Sequence, residues 1–225
     1  MLRTLGRRAK DFLWPMGRSC LLCGRATRVQ SLCADCLQDL KDCQLSPEEA
    51  LHRRIPGADV VFCALHYGDA ARRLVWLTKF DALEEAGLVL SYQLAAALQA
   101  YGITATLVTW VPMPPRRRRA RGIDHAHLLA RETAQSLGLP CEALLSRAAR
   151  SVQEQHTRAR KERAENAKHA FCPAPNAPDL RGQRVMLIDD VLTTGATAAA
   201  CVEQLRSMGA ESVVVAAVCM TQMEG

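Results

Sequence analysis

Val185-Met-Leu-Ile-Asp-Asp-Val-Leu-Thr-Thr-Gly-Ala-Thr197 decides the fold. An apolar run over 184–190 reads as a buried strand that delivers two carboxylates, Asp189 and Asp190, to its C-terminal end. A turn of Thr193, Thr194 and Gly195 follows, and a helix is predicted over 196–208, closed by Gly209. In open α/β sheets ligands bind at the carboxyl ends of the strands. A helix N-terminus offers free N–H groups and a partial positive charge, which together capture phosphate. Threonine hydroxyls add donors, and glycine lets the backbone come close to an anion. Paired carboxylates cannot bind phosphate, but they can accept hydrogen bonds from vicinal sugar hydroxyls. A phosphate beside a diol describes a ribose 5-phosphate. Two plainer readings stand beside it: the threonines cap the helix, and the carboxylates are solvated or hold a cation. An acidic pair ending an apolar strand does need a partner, because an unpaired buried charge is costly.

Working outward, strands and helices alternate. Residues 59–65, 105–111 and 212–218 are short β-rich runs, while 69–79, 84–100, 124–137 and roughly 156–168 carry helical spacing. Nearly continuous apolar strands joined by helices imply an α/β fold with a parallel sheet covered on both faces. The boundary falls at 57/58: an N-terminal segment, 1–57, whose stretch 43–57 reads as a connection, then a domain over 58–225. The first fifteen residues suggest an amphipathic helix, docked on the body of the protein or anchored at a membrane surface.

The chain has 225 residues, 49% of them hydrophobic, and a net charge of +6. That is enough for a core without disulfide staples, and the charge suits anionic partners without selecting one. No run approaches the ~20 apolar residues of a membrane span, and the N-terminus lacks the apolar core of a signal peptide. A cytoplasmic setting follows, in which clustered cysteines more often bind metal than pair. Four of the ten cysteines fall in one window, Cys20-x2-Cys23 and Cys33-x2-Cys36. Two such grips suit tetrahedral zinc in a closed, structural site, with a redox pair as the alternative. Cys43, Cys63, Cys141, Cys172, Cys201 and Cys219 are scattered and read as small apolar residues.

Arg116–Arg119 and Arg121 follow a proline-rich strand end. They read as a solvated loop, a loop closing on pyrophosphate, or a contact for single-stranded nucleic acid. Arg147, Arg150, Arg158, Arg160, Lys161 and Arg163 add charge further along, partly balanced by Glu154, Glu162 and Glu165. Aromatic residues make up only 4% of the chain, so a base-stacking platform finds little support and strand binding would rest on phosphate contacts. Tyr67 and Trp76 are the aromatics nominated near a ligand, with Trp76 read mainly as core. His125 and His127 read as packing or surface residues.

The segment 185–197 resembles the phosphoribosyl pyrophosphate signature of type I phosphoribosyltransferases. Together with the four-cysteine module, Tyr67, Lys79, Val111-Pro-Met-Pro114, Arg121-Gly122, Gln155, Arg163, Asn166 and Phe171, the chain resembles the ComF family along nearly its whole length. The resemblance implies a type I phosphoribosyltransferase fold with a small N-terminal zinc ribbon or knuckle. It implies that Asp189 and Asp190, as the catalytic carboxylates, hold the ribose 2′- and 3′-hydroxyls. Thr193, Thr194, Gly195, Ala196 and Thr197 would wrap the 5′-phosphate, and Arg121 would pair with pyrophosphate. Magnesium would ride mainly on ligand oxygens. Ile123-Asp124-His125 departs from the family, which commonly has an aromatic residue, Asn and Gln there, so Asp124 takes no ligand role. Two functions are implied: transfer of a phosphoribosyl group to an unknown acceptor, or an accessory role in DNA uptake with single-stranded DNA and protein partners.

Overall fold

The computed structural model describes residues 18–27, 31–148 and 170–221. The helices expected over 1–15 and 156–168, the family positions Gln155, Arg163 and Asn166, and Arg150, Arg158, Arg160 and Lys161 lie outside them. The chain divides into two compact units, Met1–Asp42 and Cys43–Gly225. In the smaller unit β1 (Arg18–Ser19) pairs antiparallel with β2 (Ala26–Thr27). A tight turn joins them: Gly24 N–H donates to Cys20 O, and Cys20 N–H donates to Arg25 O, at 2.9 and 2.8 Å. Gly24 sits at φ 74°, where a side chain would be strained. Helix α1 (Ala34–Lys41) follows directly after Cys33.

The larger unit is built on a parallel sheet in the order β3-β8-β7-β4. Its strands are β3 (Val60–His66), β4 (Leu107–Trp110), β7 (Arg184–Leu192) and β8 (Ser212–Met220). Val185–Ile188 and Val213–Cys219 are buried at every position, which their unbroken apolar run requires of a sheet covered on both faces. Helices α3 (Asp69–Phe80), α4 (Glu84–Ala100) and α6 (His125–Leu137) pack on one face. Helix α7 (Ala196–Ser207), the crossover from β7 to the parallel β8, packs on both of those strands apart from that group. The sheet's margins are met by short segments: Gln44 bridges Leu65 antiparallel, and Cys141 bridges Val108 in parallel.

Three parts differ from the expectations. The stretch 43–57 falls with the larger unit and is ordered by α2 (Pro47–Ala50), whose Ser46 and Glu49 form a reciprocal capping box. The arginine run is no loop: α5 (Pro115–Arg121) has proline in its first turn and ends at Gly122 with φ 74°. Trp76 is not core, being 53% exposed. The buried stripe of α3 is Ala70, Ala71, Leu74, Val75 and Thr78, and Trp76 lies off it. A short antiparallel pair, β5 (Leu145–Arg147) with β6 (Phe171–Pro173), completes the unit.

Candidate functional site

Successive residues of a strand face opposite ways, so the end of β7 sends Asp189 and Asp190 to different neighbours. Asp190 is buried. Its Oδ1 accepts from Lys79 Nζ on α3 at 2.9 Å, and its Oδ2 lies 2.6 Å from His125 Nε2 at the start of α6. Arg121 Nη1 reaches the other ring nitrogen, Nδ1, at 3.4 Å. A guanidinium only donates, so Nδ1 accepts and the imidazole proton sits on Nε2, aimed at Asp190. Asp190 is thereby fixed from two sides. Burial would raise its pKa, but the His125 hydrogen bond and the Lys79 charge outweigh burial and hold it below the ordinary carboxylate range. Asp189, hemmed in by protein yet keeping part of its surface toward the cleft, is pushed up to about 7 by burial and by the charge of Asp190. The N–H of Asp190, 2.9 Å from Asp189 Oδ1, opposes that rise. Two adjacent carboxyls are thus driven to different protonation states, a mark of sites that do chemistry.

Both open into one cleft of about 200 Å³ that is open to solvent on one side. Lys79, Arg117, Arg121 and Arg147 line it together with Val111–Pro114 and Thr197. Four cations against two carboxylates favour an anion there. Arg147 is oriented by its own contacts, with Nε donating to Pro112 O at 3.2 Å and the guanidinium 4.5 Å from the Phe171 ring.

The turn after β7 is open to solvent at Thr193, Thr194, Ala196 and Thr197. Gly195 stands at the N-cap of α7 with φ 79° and supplies no side-chain cap, so apart from Ala196 N–H, which donates to the Thr194 hydroxyl, the first-turn N–H groups of the described residues are available to an anion. Among the described residues, Thr194 Oγ1 accepts only from Ala196 N–H, at 3.4 Å. The turn is held from behind: Arg53 Nη2 donates to Thr193 O and to Thr221 O, both at 3.0 Å. A Cβ on Gly195 would stand 3.3 Å from Ile55 Cγ1. The stretch read as a connection is therefore the back wall of the turn.

Of the residues nominated from sequence, Asp189, Asp190, Thr197 and Arg121 line the cleft, and Thr193–Ala196 form the adjoining turn. Tyr67 is not among the lining residues. Asp124 caps α6, accepting from His127 N–H at 3.2 Å, and the His127 ring packs 4.3 Å from that of Trp110. Lys79 was noted only as a family position, and His125 was read as packing. Their signal was position: His125 opens a helix three residues after Gly122, and Lys79 lies next to the buried Thr78 in the last turn of α3.

In the smaller unit the sulfurs of Cys20, Cys23, Cys33 and Cys36 all lie within 4.8 Å of one another. Cys23 Sγ and Cys33 Sγ are 3.6 Å apart, close to the ~3.8 Å edge of a tetrahedron of zinc–sulfur bonds. Arg25 Nε donates to Cys23 Sγ at 3.4 Å, which brings that thiol down to about 6. Burial and the three other sulfurs push Cys36 up, so it keeps its proton until a cation displaces it. The cluster fits a zinc knuckle. Among the scattered cysteines, Cys63, Cys201 and Cys219 are buried, and Cys43, Cys141 and Cys172 are partly so.

Residues 124–225 match the phosphoribosyl transferase domain model. The DNA utilization protein YhgH of Escherichia coli (strain K12) is 28% identical over 208 residues, covering 90% of each chain. The Competence protein F of Haemophilus influenzae is 31% identical over 105 residues, 47% of this chain and 46% of its own. Among solved structures, the glutamine phosphoribosylpyrophosphate amidotransferase from B. subtilis has a TM-score of 0.45 at 18% identity, over 64% of this chain and 30% of that one.

Proposed function

Because the chain belongs to the ComF family and carries the phosphoribosyl transferase domain, we propose that it binds phosphoribosyl pyrophosphate with magnesium and transfers the phosphoribosyl group to an acceptor. The observation that supports this most is the pairing of a carboxylate fixed by Lys79 and His125 with a following helix whose N-cap, Gly195, offers no side chain to its N–H groups. Asp189 and Asp190 take the ribose hydroxyls, and Thr193–Thr197 take the 5′-phosphate through main-chain N–H groups and hydroxyls. Arg117, Arg121 and Arg147 face the pyrophosphate. Magnesium, carried on ligand oxygens and completed by water or a carboxylate, supplies charge neutralisation when bound. Transfer breaks the bond from C1 to pyrophosphate through an oxocarbenium-like state. Fixed cations around the departing group stabilise the charge it gains. Zinc in the four-cysteine cluster serves folding, in a cytoplasmic setting where thiols stay reduced.

Calorimetric titration with phosphoribosyl pyrophosphate and magnesium is expected to show saturable binding that Asp190→Asn abolishes. Pyrophosphate release with an acceptor present then reports turnover. No heat with the donor would reject the reading. A second reading, an accessory role in DNA uptake with single-stranded DNA and protein partners, is favoured by the relatives' names and by the exposed Arg116–Arg119 face of α5. Binding without turnover, and salt-sensitive retention of single-stranded DNA lost on replacing Arg116–Arg119, would select it.

A further inference from the structure

The four sulfurs of the smaller unit are unequal in their surroundings. Cys20 and Cys36 are buried and Cys33 is partly so, while Cys23 is exposed. Cys33 and Cys36 ride on α1, as its N-cap and in its first turn, and the Cys20 sulfur faces the main-chain N–H groups of Cys33, Cys23 and Leu22. Cys23 sits in the turn between β1 and β2. There Arg25 gives its sulfur both a main-chain N–H and the side-chain Nε, the latter at 3.4 Å. The same guanidinium sends Nη2 to Asp35 on α1 at 2.7 Å. One planar group therefore ties the turn that carries the first cysteine pair to the helix that carries the second.

We propose that Cys23 is the ligand through which the four-cysteine site exchanges its metal, and that Arg25, pinned by Asp35, is the positioning residue that slows the exchange. This rests on the zinc reading of the cluster and is independent of the phosphoribosyl ligand. A sulfur in an exposed turn is the one an incoming chelator reaches first, and such turns open locally at less cost than packed elements. When the bond from Cys23 to the metal breaks and a bond from the chelator takes its place, the sulfur leaves with its electron pair as a thiolate. A guanidinium that holds this thiolate where it stood lets rebinding outpace the competitor, the orienting effect of groups behind a metal ligand. The site also gathers negative charge, several thiolates against one dication, so a fixed cation at its exposed corner suits it. The Arg25–Asp35 pair adds little to the fold itself, since its side chains are 60% and 67% exposed. Its effect falls on the sulfur.

The test loads the full chain with zinc and times its release into an excess of a chromogenic chelator. Arg25→Met is expected to speed release at least about tenfold, the scale on which such outer partners act on metal affinity. Arg25→Lys keeps the charge but lacks the fork that reaches both partners, and its rate should fall between. High salt screens the exposed clamp and should bring the parent's rate toward that of Arg25→Met, a response that a purely structural arginine would not give. Cobalt in place of zinc should show the same thiolate-to-metal absorption in the parent and in Arg25→Met. Limited alkylation of the zinc-loaded chain with iodoacetamide, mapped by mass spectrometry, should label Cys23 first of the four. Release unchanged by Arg25→Met, or a first label on Cys20, Cys33 or Cys36, would overturn the proposal and leave the metal site standing. Loss of the cobalt absorption in Arg25→Met would overturn it by making Arg25 a requirement of the fold. A parent chain that holds neither zinc nor cobalt would overturn the proposal and the zinc reading together.

Discussion

Asp190 is the residue on which the cleft turns, and its two partners come from far away in sequence: Lys79 precedes it by 111 positions. No local pattern joins them, which is why the sequence reading found the carboxylate and missed its supports. Lys79→Met leaves a buried carboxylate with His125 alone, a loss of about 3 kcal/mol by the usual cost of breaking such a pair. A lower melting temperature and weaker donor binding are expected, and an unchanged melt would show that water already screens the pair. His125→Gln keeps a donor that can face Asp190, whereas His125→Ala does not. Donor affinity should therefore fall further in the alanine variant, and equal loss in both would reduce His125 to packing. Asp189 has the opposite character. Its folded pKa of about 7 exceeds the ordinary carboxylate value, so the stability from its protonated form is present at low pH and is lost as pH rises through 7. Asp189→Asn escapes that loss. Its thermal melt should exceed the parent's by at least about 2 °C at pH 8, with a smaller excess at pH 5. An equal excess at both would contradict the burial argument.

At the level of elements, the strand–turn–helix of 184–208 was legible almost to its ends, because an unbroken apolar run and a single glycine leave few alternatives. The structure adds only Val191 and Leu192 to the strand. What could not be read was the backing of the turn. Ile55 lies where a Cβ on Gly195 would arrive, and Arg53 binds the Thr193 carbonyl. Gly195→Ala would meet both a strained positive φ and Ile55, costing about 1–2 kcal/mol and displacing the N–H groups offered to phosphate. Weaker binding of ribose 5-phosphate is expected in calorimetry, with partial recovery on adding Ile55→Val. No recovery would assign the whole loss to φ. Helix α5 was misread for a different reason. Four consecutive arginines suggest repulsion and a solvated loop, yet arginine is a good helix former, and the flanking Pro115 and Gly122 are the start and stop signals of a short helix. Trp76 was misassigned by residue type alone, since the apolar stripe of α3 passes it by.

Over the whole molecule, the α/β class and the parallel sheet were legible from the alternation of strands and helices. The partition was less so, because two arginine contacts and the Gln44–Leu65 bridge bind 43–57 to the larger unit without any apolar periodicity to announce them. The two units rest on different physics, one on a buried sheet and the other on four sulfurs. Chelation of the bound metal from the full chain should therefore open 18–42 to limited proteolysis while a fragment spanning 43–221 survives, with zinc release followed by a chromogenic indicator. Simultaneous loss of both would show that the larger core depends on the metal.

The half-enclosed carboxyl of Asp189 has one more effect. Burial and the neighbouring charge of Asp190 hold a proton there to higher pH than an ordinary carboxylate keeps one, and a magnesium-bearing sugar that needs the anion must drive it into the medium. Apparent heats of association should then differ between buffers of unlike ionisation enthalpy, and acidification should loosen the grip. In this way the ambient acidity becomes a silent co-reactant of ligand capture.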